Sequence, residues 1–275
     1  MGKTVSTLAV SPDQCPEGWN DAAAYDRWFA PLSSRYAVNA VRLLGLRPGQ
    51  QLLDVAAGTG ALTLLAAGAG ADVCAVDFAP GMVRHLGRRL AEAGLHAQVS
   101  QMDGQALRCG TASFDAACSM FGLIFFPDLD AGARELRRVV RPEGQVLVAA
   151  WDRSGFPLMA AVEEALQAAL PGLTGPAEPP PALRLADRST VEALLVRAGL
   201  RAVTVIEVTH DWAVPDPVAL FRSIPCWSAP LQPLFGGLET AQLGRAESAF
   251  ARAVTAMSGP SGGLRMTALF GYGIR

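Results

Sequence analysis

Charge is scarce in this 275-residue sequence: only 17% of residues are Asp, Glu, Lys or Arg, and the signs nearly cancel to a formal net charge of −2. No stretch gathers Lys and Arg onto one face, so a nucleic-acid partner lacks the electrostatic footprint it would need. Histidine is rarer still, at three. The five cysteines, Cys15, Cys74, Cys109, Cys118 and Cys226, form no C-x-x-C pair and have no His at zinc spacing. That pattern offers no metal site and predicts reduced thiols in a cytoplasmic setting. Apolar runs stay well short of the roughly 18 to 20 residues of a membrane span, and no basic head with an apolar segment opens the chain. Met1-Gly2-Lys3-Thr4-Val5-Ser6 matches the short myristoylation pattern, but without a second membrane signal it is read as coincidence.

What is abundant is apolar surface. At 51% hydrophobic residues the chain is too apolar for disorder and long enough for one large α/β domain with a deep ligand cavity. Residues 11–48 carry Trp19, Tyr25, Trp28, Phe29 and Tyr36 at helical spacing broken by Pro31, which predicts two helices ahead of the sheet. From residue 51 the pattern alternates between strand and helix: strands at 51–55, 71–77, 96–101, 114–120 and 145–151, and helices at 61–69, 80–93 and 130–140. A turn at 141–144 is expected to lead into the fifth strand. Beyond 151 come a helix at 158–170, an exposed Pro-rich loop at 175–181, a helix at 190–198 stopped by Gly199, a strand at 202–208, a mostly helical stretch at 211–260 and a closing strand at 265–272.

This order predicts an α/β, Rossmann-like, doubly wound and mostly parallel seven-stranded sheet with an N-terminal helical lid and helical cap insertions. The expected divisions are a lid at 1–48, a ligand-binding core at 49–151, and 152–275 completing the sheet. Insertions at 152–187 and 211–260 would cap the C-terminal edge of the strands, where open α/β sheets bind ligands.

Three strand ends carry chemistry. Asp54-Val55-Ala56-Ala57-Gly58-Thr59-Gly60 is a glycine turn between a buried strand and a helix. Gly58 and Gly60 let the backbone turn sharply and approach a ligand, while the next helix points its first amides into the same space. Asp77 ends the second strand, where a carboxylate accepts hydrogen bonds from both ribose hydroxyls. Asp103 follows the third, placed to accept from an exocyclic adenine amine. Together they point to an adenosine-type ligand, which leaves NAD(P) and S-adenosylmethionine as alternatives. A dinucleotide turn needs a third glycine three residues after Gly60, where Thr63 stands instead. Asp54 would repel a pyrophosphate but could help hold an α-ammonium group.

As a set, five segments resemble the class I S-adenosylmethionine-dependent methyltransferases, in particular the small-molecule branch similar to ubiquinone and menaquinone biosynthesis methyltransferases. They are Asp54–Gly60, Val76-Asp77-Phe78-Ala79-Pro80-Gly81-Met82, Met102-Asp103-Gly104-Gln105-Ala106-Leu107, Ser113-Phe114-Asp115 and the 136–144 run through Arg141-Pro142-Glu143-Gly144. The resemblance implies S-adenosyl-L-methionine as cofactor. It places Asp54, Ala56, Gly58, Gly60, Asp77, Phe78, Met82, Met102, Asp103 and Gly104 around that cofactor. Ser119, Met120 and Phe121 would flank its methionine portion, with Tyr25 and Trp28 closing from the lid. Ala56 departs from the glycine the family often has there.

The implied activity is methyl transfer to a small, largely apolar acceptor at O, C or N. Phe121, Leu123, Ile124, Phe125, Phe126 and Trp151 would form an apolar wall, completed by Trp212, Phe221 and Trp227 of the cap. His210, expected just after the sixth strand, is the candidate general base by position. No Asn-Pro-Pro-Tyr motif follows the fourth strand, which favours a small-molecule acceptor. A cofactor-binding protein without methyl transfer and an NAD(P)-dependent oxidoreductase are the alternative readings. The sequence leaves the oligomeric state open, a homodimer included.

Overall fold

The computed structural model describes Trp19 and residues 21–172, 180–259 and 262–275. Two lid helices, α1 (Ala22–Trp28) and α2 (Ala30–Leu44), precede the sheet. Pro31 sits in the first turn of α2, where its missing amide costs no hydrogen bond, so the expected interruption is the start of the second helix. The core then runs β1 (Gln51–Val55), α3 (Ala61–Gly68), β2 (Asp72–Asp77), α4 (Pro80–Ala93), β3 (Gln98–Gln101), β4 (Phe114–Met120), α5 (Leu129–Val139) and β5 (Val140–Trp151). It is completed by α6 (Pro157–Ala169), α7 (Arg188–Arg197), β6 (Arg201–Ala213), α8 (Pro217–Trp227), α9 (Gln232–Gly236), α10 (Thr240–Met257) and β7 (Gly263–Ile274).

The seven strands form one mixed sheet in the order β3-β2-β1-β4-β5-β7-β6, in which β7 alone runs antiparallel to its neighbours β5 and β6. Four of the five residues of β1 are buried, as expected for a parallel strand covered on both faces. The chain leaves β1 toward β2 and β3, then returns to place β4 on the other side. This reversal opens a crevice beyond the C-terminal tips of β1 and β4. The cap holds together through α6 against α10 and α10 against α8, and α8 also packs on the lid helix α1.

Three expected boundaries shift. Residues 141–144 are part of β5: the register slips between Phe114 and Ala116 of β4, and Glu143 takes a positive φ of 64°, so the turn signals build an irregularity inside a strand. Second, β6 extends to Ala213, pairing His210 with Met266, Asp211 with Arg265 and Trp212 with Leu264. Polar residues there read as the end of a strand, yet β6 is an edge strand whose exposed positions tolerate them. His210 and Trp212 therefore lie within the sheet, and only the remainder of 211–260 supplies α8 to α10. Third, most of the Pro-rich 175–181 passage lies outside the described residues, and Pro181 opens a 3-10 turn at Pro181–Leu183.

Candidate active site

The tip of β1 is a sequence of left-handed residues. Ala56 (φ 58°), Gly58 (φ 57°) and Gly60 (φ 91°) turn the chain from the strand into α3, with Gly60 as the residue preceding the helix. At Gly60 glycine is required twice over, because an added Cβ would also lie 2.2 Å from Leu86 Cδ1. Ala56 holds a conformation that costs an L-residue about 1 to 2 kcal/mol. Its methyl group has room because residue 122 is glycine: a Cβ on Gly122 would come within 2.2 Å of the Ala56 Cβ. The departure from the family pattern at 56 is thus compensated across the crevice.

Asp77, at the tip of β2, binds this turn. Its Oδ2 accepts from the Gly58 amide at 2.8 Å and its Oδ1 from the Ala79 amide at 2.9 Å. The carboxylate is only 7% exposed, and burial pushes its pKa up to about 6 against the pull of those amides. Asp54 is 1% exposed and pushed up to about 7, mainly by burial, with the Thr63 hydroxyl donating to it at 2.6 Å. Thr63, which replaces the third glycine of a dinucleotide turn, is therefore the anchor of the β1 carboxylate. Two buried acids beside one crevice, with no cation paired to either among the described residues, favour a positively charged ligand.

A small cavity of about 30 Å³ lies here, lined by Tyr25, Ser33, Asp54, Ala56, Gly58 and Met120 among others. The Thr59 hydroxyl is buried against the same cavity with no hydrogen-bond partner. Among the described residues, no group of three or more His, Cys, Asp or Glu is placed to hold a metal.

The sequence-predicted residues divide into three sets. Tyr25, Asp54, Ala56, Gly58 and Met120 meet on the cavity, with Asp77 and Gly60 fastening its floor. Phe78 and Met82 adjoin it, packed with Ala79 against Tyr25 and Ala22 of the lid. Met102, Asp103 and Gly104 occupy the next tip: Asp103 accepts from the Gln105 amide at 2.9 Å, Met102 is buried, and Gly104 lies under the ring of Phe126. Ser119 is buried and its hydroxyl accepts from the Leu123 amide, so it caps a short 3-10 turn.

Phe121, at a left-handed φ of 59°, stacks on Trp151 at 4.1 Å, and Trp151 stacks in turn on Phe156 at 4.8 Å. Phe29 meets Trp151 and Trp212 edge-on and stacks against Trp227. Trp212 and Trp227 thus pack with Phe29 in the hydrophobic core and do not line the cavity, and Phe221 packs inside the cap on Phe235 and Phe250.

Two candidates fall elsewhere. Trp28 carries the guanidinium of Arg27 over its ring and does not line the cavity. His210 shares a hydrogen bond with Asn39 at 2.8 Å and packs edge-on against Tyr36, a ring that also meets Phe121 and Trp151, and it does not line the cavity; burial, then the nearby Arg35, lowers its pKa. The ring thus makes a lid-to-sheet contact from within β6, not from the position after the strand that the sequence suggested. Thr59, Ser33 and Leu62 were not foreseen, since nothing in their local spacing marks them.

Comparison with known proteins agrees with this geometry. A family profile described as a methyltransferase domain matches residues 52–144. The demethylmenaquinone methyltransferase of Parafrankia sp. is 35% identical over 188 residues, covering 60% of this chain and 74% of that protein. An uncharacterised protein of Mycobacterium tuberculosis is 40% identical over 116 residues, and the chain covers 42% of its length. Among solved structures, the YcgJ protein of Bacillus subtilis superposes with a TM-score of 0.57 at 16% identity, covering 87% of this chain and 97% of that one. The [4+2]-cyclase SpnF shares the fold at a TM-score of 0.53 and 21% identity, covering 88% and 80%. The chain belongs to the class I S-adenosylmethionine-dependent methyltransferases.

Proposed function

We propose that this protein transfers the methyl group of S-adenosylmethionine to a small, largely apolar acceptor. The observation that carries this reading is the pair of buried carboxylates, Asp54 and Asp77, on adjacent strand tips around a glycine turn, neither paired to a cation among the described residues. The residues present fit the cofactor: a left-handed turn that a Cβ would obstruct, and a buried Thr59 hydroxyl with no partner of its own. Asp77 keeps lone pairs for the ribose hydroxyls while holding the turn, and Asp54 balances the α-ammonium charge. Tyr25 roofs the cavity, and Asp103 with Met102 and Gly104 addresses the adenine end.

When bound, the cofactor supplies a methyl group on a positively charged sulfur. The enclosing residues contribute alignment and exclusion of water, effects worth up to roughly 7 to 11 kcal/mol. The acceptor is assigned to the side of the buried stack of Phe121, Trp151 and Phe156, beyond the tips of β4 and β5. The relative named for demethylmenaquinone supports an apolar, ring-bearing acceptor.

A second reading, ligand binding without methyl transfer, draws on the cyclase that shares this fold. Calorimetry with S-adenosylmethionine, S-adenosylhomocysteine and NADPH tests the cofactor, and binding of NADPH alone would reject it. Methyl-labelled cofactor offered with phenols and quinols separates the two readings by product. Asp77→Ala is expected to weaken S-adenosylhomocysteine binding by about 1.5 to 3 kcal/mol, and unchanged affinity would show the ribose is held elsewhere.

A further inference from the structure

The N-terminal half of the lid is held by a device that the sequence did not announce. Arg89, on α4, points one guanidinium nitrogen at two acceptors: Asp26 Oδ1 of α1 at 2.8 Å and the backbone carbonyl of Thr59, within the glycine turn, at 2.9 Å. His85 lies one turn earlier on the same face of α4, with its Nε2 3.5 Å from the other oxygen of Asp26. Arg88 approaches His85 Nδ1 at 3.1 Å, and a guanidinium can only donate. His85 Nε2 faces Asp26 and is buried with no hydrogen-bond partner among the described residues.

One end of this bridge, Thr59, lines the cavity, and the other, Asp26, is next in sequence to Tyr25, which lines it too. The Tyr25 ring lies 4.0 Å from where a Cβ on Gly58 would stand. Thr59 bears the unpartnered buried hydroxyl. The helix between them is only seven residues long, too short to persist by its own propensity, so tertiary contacts decide where it sits. Arg89 and Asp26 are 29% and 30% exposed, screened enough from water for a charge-assisted hydrogen bond to matter.

We propose that Asp26, Arg89 and His85 form a clasp that couples closure of the lid helix to the shape of the glycine turn, and so sets how long a ligand stays in the cavity. Because the same nitrogen serves both acceptors, a movement of α1 removes one of the two bonds that fix the Arg89 guanidinium against the turn. Arg89 is thus a positioning residue. It touches no ligand, and acts through Tyr25 on one side and the turn on the other. The inference rests on the reading of the cavity as the S-adenosylmethionine site, but the clasp itself can be observed in the ligand-free protein.

The test uses the full chain and two readouts. Dissociation of S-adenosylhomocysteine is followed by stopped-flow tryptophan fluorescence, and hydrogen exchange of residues 22–28 is measured without ligand. Asp26→Asn and Arg89→Gln are expected to speed dissociation about threefold to tenfold and to accelerate exchange in α1, leaving exchange in β1, β4 and β5 unchanged. Arg89→Lys, which keeps the charge but reaches one acceptor at a time, should fall between the wild type and Arg89→Gln; it also stands in if Arg89→Gln loses protection across the whole sheet. A wild type that binds S-adenosylhomocysteine, with dissociation and α1 exchange unmoved in the variants, would overturn the clasp. A wild type that does not bind would instead overturn the reading of the cavity, while α1 exchange would still judge the clasp.

Discussion

The two halves of the crevice are built by different means. On the side proposed for the cofactor, over the tips of β1 and β2, the work falls to a turn of left-handed residues and two carboxylates fastened by short-range hydrogen bonds. On the side proposed for the acceptor, beyond the tips of β4 and β5, buried aromatic rings predominate. There Phe29, Phe121, Trp151, Phe156, Trp212 and Trp227 are brought together from the lid, three strands and the cap. A ligand common to a whole family can be met by a motif that is continuous in sequence. A ligand particular to one enzyme is met by side chains that only folding makes neighbours.

That contrast is most sharply challenged by Trp151→Ala. Trp151 is buried between two stacked rings, and its loss is expected to cost about 3 to 5 kcal/mol of stability in a denaturant titration, with acceptor turnover falling further than S-adenosylhomocysteine affinity. Equal loss of both would mean that the halves are not separate.

A smaller effect, of opposite sign, is expected on the cofactor side. The pKa of Asp54 in the folded protein, about 7, lies above its ordinary value of 3.8, so the folded state holds a proton that the unfolded state has released. Stability of the ligand-free protein should therefore fall as pH rises from about 4 to about 7, with Asp77 adding to the same slope up to about 6. Asp54→Asn removes the buried charge: the variant should be more stable than wild type at pH 8 by about 1 to 3 kcal/mol and show a flatter pH profile, yet bind cofactor more weakly. Thermal melts across that pH range check the sign, and a variant less stable at pH 8 would place the cost of the site elsewhere.

The smallest change is expected at His210, which belongs to neither half. His210→Asn should lose about 1 kcal/mol with its bond to Asn39, while methyl transfer stays unchanged. A collapse of turnover with intact cofactor binding would mark it as a base.

Much of the cofactor half was legible because its residues are neighbours in sequence. Asp54 to Gly60 form one strand-turn-helix unit, and their spacing carries their geometry. Asp77 was legible as a strand-end acid, although its bonds to the Gly58 and Ala79 amides were not. Thr63 shows the limit: it was noticed for the glycine it replaces, and only the folded helix reveals its hydroxyl on Asp54. His210 was misplaced for a related reason, since the length of β6 depends on pairing with β7, a strand that follows the whole α8 to α10 insertion.

By itself, then, the sequence determined the alternation of strands and helices, the glycine turn and the acids at the strand tips, because periodicity and local backbone preference act over a few residues. Only the tertiary structure decided that Gly122 makes room for Ala56, that six aromatic rings share one cluster, and that Arg89 joins the lid to the turn. Those are contacts between residues far apart along the chain, and no local preference encodes a partner that arrives only when the sheet is assembled.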